Sequence, residues 1–391
     1  MSVAPSPTRV VPRRSGLGFT VSVSVAMLLG ALAMGFVLLA SDAPGAIVVG
    51  AVLAALPVGP VLGCFLWLDR YEPEPRTLLL LGLGWGAFVA TSSALVLQLV
   101  GEFAFRAPQS FSGAVVAPVT EEAAKGLFIL LLLFFRRNEL DGVLDGIVYA
   151  GMVGVGFAFV ENILYLSSAY VGEQGQLGGI GSAVGLFVVR GIFSPFAHPL
   201  FTTFTGIGVG LAVVSRRPAV RVLAPIGGYL LAVAAHATWN ASAFMGGGRG
   251  FVLTYLFVMV PAFALLAGFA IWARRREARM LTDSLADCAR RGFLDPAEVP
   301  WLVRLPARRA ARRYARQAGG PDALGVMREY QQTAVELGFL HSRYLRGTAP
   351  RDATARGQAY VDQLIRLRPH LVWPRATGPS GAVGPAAGGL A

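Results

Sequence analysis

Four apolar stretches of this sequence carry side chains that lipid should exclude. Glu121, Glu122 and Lys125 stand in APVTEEAAKGLFILLLLFF, and Glu161 and Asn162 in GFAFVENILY. Arg190 and His198 stand in RGIFSPFAHPLFTTFTG, and His236 and Asn240 in HATWNAS. Ionisable groups at such depth are costly, and they persist where they serve an ion path or a reaction. Three acids and two histidines exceed what helix–helix adhesion needs. A carboxylate can act as general base on water. A histidine can stabilise an oxyanion. Alternatively, Glu161, His198 and His236 form a carboxylate and two-imidazole set of the kind that binds zinc with one position open. All of these serve hydrolysis.

Spacing assigns partners. Glu121 and Lys125 are four residues apart and share a helix face, so an ion pair is expected. Glu122 is turned about 100° from Glu121 and faces a different neighbour. Lys125 is the chain's one lysine beside 33 arginines, so a compact ammonium on a flexible stem is wanted there. His236 and Asn240 are also four apart, and Asn240 is expected to hold the imidazole in one tautomer. His198 and Thr202 have the same relation.

Other hydrolytic and redox chemistries lack their residues. HExxH and nucleotide-binding glycine motifs are absent. Ser194 lies in GIFSPF, outside any G-x-S-G pattern. Asp141 and Asp145 fall at an inner helix end, where capping is the expected role. With two cysteines, Cys64 and Cys288, no disulfide framework or Cys-rich metal site can form.

The elements that must carry these residues are membrane helices. About 20 apolar residues cross a bilayer, and eight runs qualify: 17–40, 45–68, 77–104, 112–135, 143–169, 184–214, 220–244 and 251–273. Arginines mark alternate connections: Arg13 and Arg14, Arg70 and Arg76, Arg136 and Arg137, Arg216 and Arg217, then Arg274 to Arg276. That asymmetry predicts both termini in the cytoplasm of a plasma-membrane protein. With that orientation Glu121 lies about 13 Å from the outer end of its span, and Glu161 and His236 about 27 and 24 Å from their inner ends. All converge in the outer half of the bilayer. Small residues, among them Gly151, Gly154 and Gly156, then Gly206, Gly208 and Gly210, predict close helix packing.

Composition agrees. Of 391 residues 54% are hydrophobic and 14% charged, against about 25% charged in soluble domains. This excludes an ordinary soluble or disordered chain and predicts an all-α polytopic bundle. The net charge of +12 is uneven: residues 1–273 carry +2 and residues 274–391 carry +10. The expected organisation is a cytoplasmic segment 1–16, a membrane domain 17–273, a cytoplasmic Arg-rich helical domain 274–374 and a disordered tail 375–391. In RLPARRAARRYAR, Arg304, Arg308, Arg312 and Arg316 recur every fourth residue, widened by Arg309 and Arg313. Such a stripe suits anionic lipid headgroups or an acidic partner, or is a solvated face. No recognition motif accompanies it, so nucleic acid is not an expected partner. His341 and His370 are expected to be ordinary surface or partly packed residues.

The ordered set EEAAK (Glu121–Lys125), FAFVEN (Phe157–Asn162), His198 in HPLFT and HATWN (His236–Asn240) resembles the motifs of the PrsW family of intramembrane proteases. DRYEPEP (Asp69–Pro75) is similar to that family's element between early spans, and the resemblance covers about residues 50–275. It implies peptide-bond hydrolysis near the outer face, with single-span anti-sigma factors as substrates and a metal, zinc by chemistry, as cofactor. Related enzymes are argued to use glutamate and histidine alone, so both mechanisms stay open. Under either, Glu121 or Glu122 activates water, and Glu161, His198 and His236 bind metal or orient water and oxyanion. Lys125 pairs with Glu121, and Asn162 and Asn240 support. Thr202 stands where an acid would assist a metal at His198. A proton-coupled transporter is the alternative use of buried Glu, His and Lys, but the polar residues crowd into spans 4–7, and the two halves show no repeat.

Overall fold

The computed structural model describes residues 16–105, 108–172, 178–245 and 248–374. The segments expected to be a cytoplasmic N-terminus and a disordered C-terminal tail lie, but for Gly16, outside them. The chain is all-α, and among the described residues there is no strand. Seven helices are long and apolar enough to cross a membrane, so this is a multi-pass membrane protein. They are α1 (Leu17–Ala40), α2–α3 (Pro44–Leu68, broken at Pro57), α4–α5 (Arg76–Gly101), α8 (Val143–Val171), α9–α10 (Ile180–Val214), α11 (Pro218–Ser242) and α12–α13 (Arg249–Arg290).

The remaining expected span is helix α7, Ala117–Phe135. It is too charged to be counted with the apolar seven, because Glu121, Glu122 and Lys125 fall within it. All three are buried, so protein rather than lipid surrounds them.

The centre of the membrane unit is α8. Its residues from Leu144 to Phe157 are buried without a break, which explains why it reads as apolar on every side. Neighbours approach it through glycine. A Cβ on Gly146 would sit 2.1 Å from the Gly206 carbonyl oxygen, and one on Gly154 would sit 2.6 Å from Pro199 Cα. The second contact seats α10 beside His198. Among the described residues, four π-helical stretches widen the helices: Trp85–Ala90, Ser112–Val116, Val188–Phe193 and Tyr255–Met259. The second precedes α7 and the third carries Arg190; both lie next to site residues, a common place for π-bulges.

At the N-terminus of α8, Asp145 Oδ2 accepts from the N–H groups of Asp141 and Gly142 at 2.7 and 2.9 Å, capping the helix as expected. The Asp69–Pro75 loop is tied in by Tyr149, whose hydroxyl donates to Glu74 Oε2 at 2.6 Å. Asp69 in turn accepts from the Glu74 N–H. Burial pushes the Asp69 carboxyl up to about 7, and burial together with the neighbouring carboxylates raises Glu74.

Among the described residues the chain divides into two compact units, those of 16–280 with 343–350 and those of 281–342 with 351–374. The second is built on α15 (Leu305–Arg346), interrupted at Gly320 with φ +72° before Pro321, and on α16 (Ala353–Leu367). Its core joins Ala311, Ala315 and Met327 to Trp301 and Trp373. Arg308 lies on that same face and is buried, and Arg312 donates to Gln331 Oε1 at 2.7 Å. The fourfold arginine recurrence is therefore not one exposed stripe. Exposed are Arg304, Arg309, Arg313 and Arg316, of which the last three share the opposite face. His341 pairs with Asp287 at 2.7 Å, and His370 is exposed. Cys64 and Cys288 are unpaired thiols.

Candidate active site

Helices α7, α8, α10 and α11 bring their polar residues to one buried cluster. Position on α7 explains the division of labour between its two acids. Glu122 points inward to α10 and α11 and has no exposure. Its Oε1 accepts from Lys125 Nζ at 2.8 Å and faces His236 Nδ1 at 3.0 Å. Its Oε2 accepts from Thr202 at 2.9 Å. Glu121 is turned toward α5. Its Oε1 accepts from Gln98 at 3.2 Å, and its Oε2 from Lys125 at 3.3 Å.

Lys125 sits at the middle of this arrangement. Its ammonium reaches Glu121, Glu122 and, at 3.1 Å, His198 Nδ1. The Phe157 ring lies 3.6 Å away and covers the open side of the charge. The expected pair with Glu121 is present, but Glu122 is the nearer carboxylate, because an i,i+3 step also keeps residues on one face.

Donor and acceptor capacities fix the tautomers. Lys125 can only donate, so His198 Nδ1 accepts and Nε2 carries the hydrogen. That Nε2 lies 2.7 Å from Glu161 Oε2. Glu122 accepts from Nδ1–H of His236, which leaves His236 Nε2 with its lone pair toward Glu121 Oε2, 3.8 Å away. Each imidazole is thus oriented by a carboxylate on another helix. Phe201 stacks on His236 with ring centroids 4.8 Å apart and meets His198 edge-on.

Glu161 is on the rim. Its Oε2 also accepts from Arg190, whose Nε donates to Asn162 Oδ1 at 2.6 Å. Arg190 packs 4.2 Å from the Tyr165 ring. Side-chain exposure is 13% for Glu161 and 20% for Arg190, against 0–6% for Glu121, Glu122, Lys125 and His236, so the cluster is open at this edge.

The carboxylate that joins the two histidines is Glu121. Glu121, His198 and His236 offer ligand atoms within 4.8 Å of one another. Glu161, expected in that role, is instead drawn to Arg190 and supports His198 from behind. Asn240 is not on His236. One turn further along α11, its Nδ2 donates to the Gly113 carbonyl at 2.9 Å, closing the π-helical turn before α7. Its expected duty falls to Glu122. Thr202 supplies Glu122 with a hydrogen bond, which explains a hydroxyl where an acid was expected.

Sequence reasoning passed over Gln98 and left Arg190 without a partner. Gln98 was visible as a lone amide in an apolar span. The π-helical turn that aims Arg190 at Glu161 leaves no sequence signal of its own.

The donor set fits a metal. One carboxylate and two imidazoles, each imidazole held by a further carboxylate, match the ligands and supporting groups of hydrolytic zinc sites. With acids ionised, Glu121, Glu122 and Glu161 outweigh Lys125 and Arg190 by one negative charge, which favours a cation.

Comparison with known proteins covers the same part of the chain. Residues 74–266 match the model of the PrsW family intramembrane metalloprotease. The chain is 26% identical over 152 residues to Protease PrsW of Geobacillus kaustophilus, covering 39% of this chain and 61% of that protein. It is 29% identical over 160 residues to Protease PrsW of Clostridioides difficile, covering 39% and 63%. The match to Protease PrsW of Shouchella clausii is 26% over 241 residues, 59% of this chain and 98% of that one. The chain thus spans somewhat less than two thirds of the first two relatives. No solved structure matches. All four site helices lie inside the matched segment, and through it the chain belongs to the PrsW family.

Proposed function

We propose that the protein is an intramembrane protease that hydrolyses a peptide bond of a single-span membrane protein, of the anti-sigma-factor kind, near the outer face of the plasma membrane. One observation carries the reading. Glu121 Oε2 and the His236 Nε2 lone pair face each other at 3.8 Å, two acceptors with no hydrogen to share. Such a pair is satisfied by a donor or a cation, and a water there is bonded to both.

Glu121 accepts a proton from that water as its oxygen adds to the scissile carbonyl, then returns the proton to the leaving amine. His236 keeps the water oriented and Glu122 keeps His236 oriented. The Lys125 ammonium stabilises negative charge developing on the carbonyl oxygen, and His198, with Nε2–H held by Glu161, keeps that ammonium in place through Nδ1. In the metal form of the reaction Glu121, His198 and His236 would hold zinc, the fitting metal, in place of that water, and Glu121 would then be a ligand rather than the base. When bound it would supply Lewis-acid polarisation and a more acidic water. Glu161 and Arg190 form the edge at which substrate arrives. Arginine placement supports cytoplasmic termini, which leaves cleavage to the outer side.

Family membership does not favour the proton-coupled carrier. The test is to change Glu121 and Glu122 separately to Gln and to follow cleavage of a tagged single-span substrate in cells. A fall of about 100-fold or more is expected for Glu121→Gln. Wild-type rates in both variants would remove the assignment.

A further inference from the structure

The Lys125 ammonium stands where a metal would. Of the three residues able to ligate, it already touches two, at Glu121 Oε2 (3.3 Å) and His198 Nδ1 (3.1 Å). The other nitrogen of His198 is occupied by Glu161 at 2.7 Å, so Nδ1 is the atom that His198 can offer. The remaining nitrogen able to ligate, His236 Nε2, faces the same Glu121 oxygen. The side chain of Lys125 has no exposure. A dication beside a buried ammonium, both on the same oxygen, is strongly unfavourable at low effective dielectric. The ammonium also has a retreat, since its shortest contact, 2.8 Å, is to Glu122 Oε1, outside the ligand set.

We propose that Lys125 is a built-in cation that holds the ligand set in place of a metal, and that the ammonium and a divalent ion exchange at Glu121 and His198. Glu121 Oε2, His198 Nδ1 and His236 Nε2 would hold the ion, and Lys125 would stay on Glu122. The centre is therefore ordered with or without metal, and metal affinity is set by a competitor within the chain. The inference rests on the metal part of the proposed function.

The chain offers its own probe, because Lys125 is its one lysine. Full-length protein in nanodiscs, labelled with lysine carrying 15N at Nζ, gives one lysine side-chain resonance. Zinc chloride is titrated while calorimetry follows binding on the same sample. The expected result is a shift of that resonance that saturates at one zinc per chain. Zinc bound at that ratio with the resonance unmoved overturns the exchange. No zinc bound overturns it together with the metal centre, and cleavage in chelator then tells whether proteolysis stands without metal. Lys125→Met, checked for folding by thermal melting, should bind zinc about tenfold tighter or more, because a competing like charge is gone. Unchanged or weaker binding in folded Lys125→Met contradicts the proposal. If that variant does not fold, the resonance of the unaltered chain decides.

Discussion

At the residue scale, adjacent glutamates on one helix do different work. Glu122 spends both oxygens on Lys125, His236 and Thr202 and acts as the organiser. Glu121 keeps an oxygen facing His236 Nε2 and is the acid that acts on water in the proposed function. Thr202→Val isolates the organising role. It removes one hydrogen bond to a buried carboxylate, worth about 1.5–3 kcal/mol when charged. The expected outcome is a lower melting temperature and a cleavage rate about tenfold down, without the abolition expected of Glu121→Gln. Thr202→Ser, which keeps the hydroxyl, should restore most of both. Much of this site was legible in the sequence. Glu121, Glu122, Lys125, His198 and His236 stand out because charge in an apolar run is costly. Which acid met which histidine was not legible, because that depends on helix rotation. A rotation of about 100° separates neighbouring residues, and it gave Glu161 to Arg190 and His198, gave Glu122 to His236, and left Glu121 within reach of both histidines.

At the element scale, the site depends on how closely α8 and α10 pack. Gly154 lets α10 approach until its missing Cβ would lie 2.6 Å from Pro199 Cα, next to His198. Gly154→Ala should force that helix outward, costing about 1–3 kcal/mol as overpacking does, and should lower cleavage more than stability alone explains. Cleavage measured below the melting transition of each form separates these effects. Most helix boundaries followed from apolar length to within a few residues, but the last apolar helix runs on past the expected end at 273 to Arg290, where its residues are no longer apolar. The π-helical turns did not follow, because one extra residue per turn leaves the hydrophobic pattern almost unchanged. They nonetheless aim Arg190 at Glu161 and present the Gly113 carbonyl to Asn240.

At the scale of the whole molecule, the membrane unit holds a second set of acids at the Asp69–Pro75 loop and the N-terminus of α8. Asp69 is buried, and its carboxyl is pushed up to about 7 from an ordinary 3.8. The folded state therefore holds the Asp69 proton more tightly than the unfolded chain. Its contribution to stability is greatest below about pH 3.8 and is lost as pH rises through about 7. Thermal melting of the full chain should thus give a lower midpoint at pH 8 than at pH 5. Asp69→Asn should flatten that slope without removing it, because Glu74 is raised as well. A steeper slope in the variant would contradict the burial argument.

The buried cluster on α7, α8, α10 and α11 stands or falls as a hydrolytic centre on one measurement. Purified full-length protein is reconstituted in liposomes with a single-span substrate, and the fragments are identified by mass spectrometry for wild type, Glu121→Gln and His236→Gln. Wild type should produce one new pair of termini at the outer end of the substrate's span, and neither folded variant should produce it. The same termini from all three proteins, or none from wild type on any membrane substrate of this topology, would contradict it.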